Sequence, residues 1–576
     1  MAPLLLVYRG LREASDWMLN YYSEIAVFGE ENVQSEGPLL VVPCHHNEVV
    51  DIGALSVTIA HGRPVRFWAK ASLFRIPLIR NILASSGALP VHRKRNIKFG
   101  SSGFSHTTDS RVHDTLFEET VVSLSQGEVI GLFPEGTSYT HPHIPPLKPG
   151  AARVALEYAS RQFGLQTSKD DSSDLRSGGE QLKVVPVGIV YTDKMQFRSR
   201  VCVIYGKPIG FHPFARQYST GTEEDRREAI NALTYEIQEN LIKLTVNAPD
   251  WDAYLCAHIA RDIAYDGRVI PLEDYVPITQ RFVNTLKNSS PETTRQVAVL
   301  LKYHALLRHT NIPHETFSSL YPSTSTHSAL PTRGHALKTF LAELTKTLLH
   351  PRLWLFILPL LLHLPGYLVG NLGARYIVDS TLDETQAGTI AICCGITYGV
   401  TAGLTVWKLY DFALRSLASE FWKLTTRSNF LDSPLGWFWS RSLYHVGLAV
   451  SVYAFTRIIF RWHNLLIDDN LNQFRRLTVS FKLLMGLLRP RNLTNSELVH
   501  FSRPPPKPLS PLLKGPAKTP KEQEDISSRS SSIPPVASLF ALIVPLWNSR
   551  IEAVAVLKEL VAENRELVVE YTPGSQ

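Results

Sequence analysis

An α/β core followed by a helical extension and a C-terminal transmembrane helical hairpin is the fold class the sequence predicts, on three observations. Apolar runs LLVVP (39–43), VIGLF (129–133), VVPVGIVY (184–191) and RVCVIYG (200–206) alternate with helical stretches from about residue 37 to 210, as strands and helices of one α/β unit do. From about 222 to 350 the pattern becomes helical, with Ala229, Leu233, Ile237 and Leu241 recurring every four residues on one face. Residues 353–373 and 388–407 are charge-free stretches of 21 and 20 residues, each long enough at ~1.5 Å per residue to cross a hydrocarbon layer of ~30 Å.

Residues 1–36 read as an amphipathic N-terminal helix, because Leu11, Trp17, Met18 and Tyr21 are interleaved with Arg9, Arg12, Glu13 and Asp16. No basic region precedes the first apolar run and no small-residue cleavage site follows it, so it does not read as a signal peptide. Residues 37–215 form the α/β domain, with polar interruptions at 100–114 and 165–180 expected as surface loops. Residues 216–350 are the helical extension and 351–408 the hairpin, in which Pro359, Pro365 and Gly366 weaken the first span and Gly395, Gly399 and Gly403 invite close helix approach in the second. Lys338, Lys346 and Arg352 precede the hairpin and Lys408, Arg415 and Lys423 follow it; the positive-inside rule therefore puts both flanks in the cytoplasm. Residues 409–488 are membrane-associated helices, in which 443–455 reads as a surface-lying helix with a short span as the alternative, and 489–535 are a disordered Pro/Ser-rich linker. The final helix lies within 536–576.

The 576 residues carry 59 Lys or Arg against 52 Asp or Glu, a net charge of +7. Mixed signs along the chain argue against a nucleic-acid binder and fit a lipid surface or a phosphorylated substrate. Five scattered cysteines make no disulfide framework. Cys44, at an apolar strand end, reads as a packing residue and not a nucleophile.

Four stretches carry chemistry. In LLVVPCHHNEVVDIGAL, His46 follows a strand and Asp51 lies in the next helix; a carboxylate that fixes one imidazole nitrogen leaves the other as a general base. GALPVHRKR offers Arg93, whose guanidinium fork can grip a phosphate. FPEGTSYT sets Glu135, Gly136, Thr137 and Ser138 at a strand end, where backbone N–H groups and hydroxyls face a ligand. VVPVGIVY is a third buried strand, interrupted near its middle by Pro186. HHNE is not HExxH, and His141 and His143 lack companions at zinc-ligand spacing, so no metal is expected.

In this order and spacing the stretches resemble the four blocks of the glycerolipid (PlsC-like) acyltransferase family: His46 to Asp51, Gly87 to Arg93, Phe133 to Ser138, and Val185 to Ile189. Looser likeness through LTVNAPD (244–250) and LPGYLVGNLGARY (364–376) points to the fungal glycerol 3-phosphate/dihydroxyacetone phosphate sn-1 acyltransferases of the endoplasmic reticulum. One departure is His45, where the family usually has Asn or a small residue before the catalytic histidine. The base is assigned to His46, which keeps the spacing to Asp51, with an exchange of roles between the two as the alternative.

The resemblance implies a mixed sheet flanked by helices and an enzyme of the endoplasmic reticulum membrane, multi-pass, with its catalytic domain in the cytosol. It implies direct acyl transfer from acyl-CoA, a substrate, with no cofactor, to the sn-1 hydroxyl of glycerol 3-phosphate or dihydroxyacetone phosphate. Arg93, Gly87, Glu135, Gly136, Thr137 and Ser138 would bind the phosphorylated acceptor, with Lys148 and Arg153 as further phosphate contacts. The competing readings are a lysophosphatidate (sn-2) acyltransferase and an inactive membrane scaffold with the same fold.

Overall fold

The structure is a computed structural model that describes residues 2–91, 106–139, 141–166, 181–193, 196–287, 290–322, 330–376, 394–412, 434–490, 493–503, 539–564 and 567. The chain divides into two compact units, one of Met1–Tyr265, Val269–Leu301 and Ala555–Gln576, the other of Asp266–Arg268 and Lys302–Val554.

The first unit is built on a seven-stranded mixed sheet. Its strands are β1 (Ser23–Phe28), β2 (Leu39–Pro43), β3 (Val65–Lys70), β4 (Leu89–Val91), β5 (Val129–Gly131), β6 (Lys183–Tyr191) and β7 (Ser199–Tyr205), in the order β1-β7-β6-β2-β5-β3-β4. From β6 to β4 every neighbouring pair is parallel; β7 runs antiparallel to β6, and β1 runs parallel to β7. β2 is buried along its whole length, which is why it reads as an unbroken apolar run instead of an alternating one. β6 passes through Pro186 without a break, pairing it with Val42.

Two apolar layers cover the sheet. On one face Val41, Leu39, Val185 and Val203 pack with Leu19 of α1 (Ala2–Tyr22) and with Ala54 and Leu55 of α2 (Glu48–Thr58). On the other, Leu40, Val42 and Ile130 meet α4 (His106–Ser125), α5 (Gly150–Gln166), α6 (His212–Thr220) and α7 (Glu223–Lys243). α3 (Pro77–Ser85) joins β3 to β4. The sequence pattern holds on α7: Ala229, Leu233, Ile237 and Leu241 are its buried residues, and a capping box between Thr222 and Asp225 starts the helix.

Two domain boundaries differ from expectation. β1 lies inside the 1–36 segment read as helical, and α7 belongs to the α/β core and is no appendage, because its apolar face fills the same layer as the sheet residues. α4 also begins inside the stretch expected to be a loop. Helices α8 (Trp251–Tyr265) and α9 (Leu272–Leu286) follow, and α10 (Pro291–Thr310) starts in this unit.

The second unit is helical: α11 (His314–Leu320), α12 (Arg333–Leu349), α13 (Pro351–Tyr376), α14 (394–412), the 55-residue α15 (Pro434–Leu488), α16 (Asn495–Val499), and the first part of α17 (Ile543–Glu563). α13 continues through Pro359 and Pro365, and the Pro359 carbonyl accepts a hydrogen bond from His363 Nδ1 at 2.8 Å. A polar seam joins α13, α14 and α15: the His363 ring stacks on Tyr398 and on His463, both at 4.0 Å, and Tyr367 Oη lies 2.5 Å from His463 Nε2.

Among the described residues two segments are long and apolar enough to cross a membrane, Pro351–Leu372 and Leu539–Glu563, the latter half buried. The expected second span, 388–407, falls only partly within the described residues. Residues 443–455 are a stretch of α15.

Candidate active site

The C-terminal ends of β6, β2, β5, β3 and β4 open on one edge of the sheet, where α/β proteins bind their ligands. His45 and Asp51 sit just beyond β2. His45 Nδ1 lies 2.9 Å from Asp51 Oδ2, and the same oxygen accepts the backbone N–H of Asn47 at 2.6 Å. The other carboxylate oxygen, Oδ1, accepts the hydroxyl of Tyr191, the last residue of β6, at 2.5 Å. Asp51 is fully buried, so these three donors stand in for the water it has lost. With its Nδ1–H on the carboxylate, a neutral His45 carries its basic lone pair on Nε2.

The FPEGTS loop closes over this pair from the end of β5. The Phe133 ring stacks on His45 at 4.0 Å, and Glu135 Oε1 accepts the backbone N–H of His45 at 3.1 Å. Glu135 is buried, and burial pushes its carboxyl up to about 7. The His45 carbonyl in turn accepts the N–H of Tyr139 at 3.2 Å, so strand end and loop are tied reciprocally. Ser138 Oγ donates to Glu48 Oε1 at 3.3 Å, and Thr137 is exposed. Gly136 turns with φ +73 and lies under Lys148: an added Cβ would stand 2.5 Å from Lys148 Nζ. Cys44 is buried with its thiol accepting the N–H of Ile189 at 3.1 Å, and burial raises its pKa well above the ordinary thiol value.

The expected pairing of His46 with Asp51 is not formed. The Asn47 N–H draws the carboxylate back over the helix start, where one of the two histidines meets it. That one is His45, whereas His46 turns to Tyr139, with Nε2 3.4 Å from the hydroxyl. Gly87 has a structural part: at φ +83 it ends α3 in a left-handed turn, and its carbonyl accepts Arg66 Nε at 2.9 Å. Arg153 spreads its guanidinium over the Phe117 ring, 4.1 Å from the centroid. Arg93 lies outside the described residues.

Sequence reasoning did not find Asn47, Tyr139 or Tyr191. The available signal for Tyr191 was its place at the C-terminal end of a buried strand adjoining β2, since neighbouring parallel strands deliver their last residues to the same edge.

Residues 24–190 of the chain match the family model described as Acyltransferase. This stretch is an acyltransferase-family domain. Its boundaries run from the second residue of β1 to the last but one of β6 and so take in His45, Asp51 and Glu135 but not Tyr191. The chain is also similar to curated proteins. The chain is 26% identical over 219 residues to glycerol-3-phosphate O-acyltransferase 2 of Saccharomyces cerevisiae, covering 38% of this chain and 27% of that protein. It is 28% identical over 208 residues to glycerol-3-phosphate O-acyltransferase 1 of the same yeast, covering 35% and 25%. The alignments thus span about a quarter of the length of these relatives. Among solved structures, the 1-acyl-sn-glycerophosphate (LPA) acyltransferase PlsC from Thermotoga maritima matches with 18% identity and a TM-score of 0.26, covering 41% of this chain and 78% of that one.

Proposed function

We propose that this chain is a glycerolipid acyltransferase that moves an acyl group from acyl-CoA to the sn-1 hydroxyl of glycerol 3-phosphate, with dihydroxyacetone phosphate as a second acceptor. The observation that carries the reading is the buried, triply hydrogen-bonded Asp51 holding His45 Nδ1 at the carboxyl edge of the sheet. The activity for which the two yeast relatives are named supports glycerol 3-phosphate as the acceptor.

In the proposed reaction His45 Nε2 takes the proton of the acceptor hydroxyl as its oxygen attacks the thioester carbon. The carbon–sulfur bond then breaks, and the imidazolium returns the proton to the departing CoA sulfur. Asp51 stabilises the imidazolium between the two proton transfers. Glu135, Gly136, Thr137 and Ser138 border the acceptor's place, Lys148 adds positive charge beside Gly136, and Arg93 grips the phosphate. Neither Gly87 nor Arg153 has a ligand role in this reading, since the one shapes a turn and the other packs on Phe117.

The enzyme is further proposed to be embedded in the endoplasmic reticulum membrane with the acyltransferase domain in the cytosol. Support comes from α13 and α14, which expose Trp354, Leu358, Leu361, Ile396, Val400 and Leu404; side chains of this kind suit lipid better than water.

The test is acyl transfer by membranes carrying the chain, with labelled oleoyl-CoA and glycerol 3-phosphate, dihydroxyacetone phosphate or lysophosphatidate in parallel, and His45→Ala as control. Product from the first two acceptors that vanishes in the variant is the expected result. Product from lysophosphatidate alone would make it an sn-2 enzyme, and no product from folded protein would leave a scaffold.

A further inference from the structure

Between Asp51 and Asp109 the sequence holds no Asp or Glu, yet it holds nine Lys or Arg. Two of these work inside the fold: Arg63 donates to the carbonyls of Gln34, Gly37 and Gly127, and Arg66 pairs with Glu128. Lys70, Arg75 and Arg80 are exposed and, among the described residues, have no carboxylate partner.

Lys70 precedes, and Arg75 and Arg80 lie within, a strap made of the 3-10 turn Ala71–Arg75 and α3, and no residue of either element is buried. Leu78 is 72% exposed and Ile76 50%, and Leu73 and Ile82 are exposed with them. An apolar helix face is ordinarily turned into a core. Here exposed apolar side chains and exposed cations alternate along one short segment. The strap leaves β3 at the same sheet edge as the reaction site, and the Phe67 ring of β3 stacks at 6.2 Å on Phe133, which stacks on His45.

We infer that the strap of residues 71–85 docks on an anionic lipid surface. Leu73, Ile76, Leu78 and Ile82 enter the boundary between head groups and acyl chains, while Lys70, Arg75 and Arg80 extend to the lipid phosphates. The charge pattern selects this occupant: a stretch without a single carboxylate meets no repulsion from an anionic bilayer, and apolar side chains set among cations match a surface whose phosphates overlie hydrocarbon. The sheet edge bearing His45 then faces the layer in which a long-chain thioester and its acylated product both partition.

The test places a photoreactive benzoylphenylalanine at Leu78, with Ile76 as a second site, in the full chain. The protein is reconstituted into vesicles of phosphatidylcholine alone or mixed with phosphatidylserine. Tyr235 on α7, 62% exposed, is the control position. The expected result is lipid adducts from positions 78 and 76 and few from 235, with the yield rising in the mixed vesicles and falling several-fold there when Arg75→Ser and Arg80→Ser are combined. Equal yields at 78 and 235, no lipid adduct at 78 and 76, or cross-linking to another part of the chain, to a second copy or to another protein would each overturn the inference. The readout needs no acyl transfer, so an inactive preparation would refute the proposed reaction and leave this test intact.

Discussion

Tyr191 Oη stands 2.5 Å from Asp51 Oδ1, on the carboxylate oxygen that His45 does not use. The acid is thus held at both ends, by a histidine in the link after β2 and by a tyrosine closing β6. Burial and the neighbouring Asp51 raise the Tyr191 pKa well above its ordinary value, so the phenol stays a donor across the physiological range. Tyr191→Phe keeps the ring and removes only that donor; kcat should fall by about tenfold or more with KM nearly unchanged, as for the loss of one hydrogen bond to a charged group. Steady-state kinetics at saturating acceptor would check this, and an unchanged kcat would remove Tyr191 from the positioning of Asp51.

The two adjacent histidines should separate in assay. His45→Ala should lower turnover by roughly 10²–10⁴, the worth of a general base. His46→Ala should cost no more than about tenfold, the scale of one ordinary hydrogen bond, here the contact to Tyr139. Turnover measured in membranes with matched protein amounts decides the order; a larger loss at His46 would return the base to the position expected from motif spacing.

Glu135 should tie stability to pH. Burial pushes its carboxyl up to about 7 from an ordinary 4.5, opposed only in part by its backbone hydrogen bonds. The folded chain therefore binds the proton more tightly than the unfolded one. Between these two values stability from this group falls as pH rises, at a slope of at most about 1.4 kcal/mol per pH unit. Glu135→Gln should flatten the fall of the thermal midpoint across that window, and an undiminished slope in the variant would assign it to other groups.

In the helical unit, Glu343 of α12 receives Arg476 of α15 through Nε at 3.1 Å and Nη2 at 2.8 Å, with Gln473 at 3.0 Å. Burial works against ionisation of Glu343, but hydrogen bonds from Arg476, Gln473 and Lys346 outweigh it and hold the carboxyl at about 2. Its stabilising contribution is complete above the ordinary 4.5 and is lost as pH falls towards 2. Glu343→Ala should cost about 1.5–3 kcal/mol, read as earlier proteolysis of the α12–α15 pair; equal protease resistance would count against this role.

The strands and the α7 core face were legible because burial writes itself as period and apolarity: β2, β6 and β7 fall within a residue of the runs that predicted them. β1 was not, since SEIAVF follows α1 without a turn residue and draws its strand state from β7, 176 positions away. Of the site, Asp51 and Glu135 were legible through spacing. The choice between His45 and His46 was not, because spacing along the chain does not say which of two adjacent rings the bend before α2 turns to the carboxylate. Tyr191 escaped for a related reason: its relation to Asp51 exists only once β6 lies beside β2.

The pairing of β1 with β7 also sets a timetable. Ser23 finds Ser199 as its partner, so at a synthesis rate of about 5–20 residues per second the first strand waits roughly 10–35 s before the last exists. Throughout that interval its backbone donors and acceptors are an open edge. The acyltransferase domain cannot close from its N-terminus forward. Its first strand stays without its partner until residue 205 has cleared the ribosome, and a truncation that removes β1 would leave the matching edge of β7 permanently open.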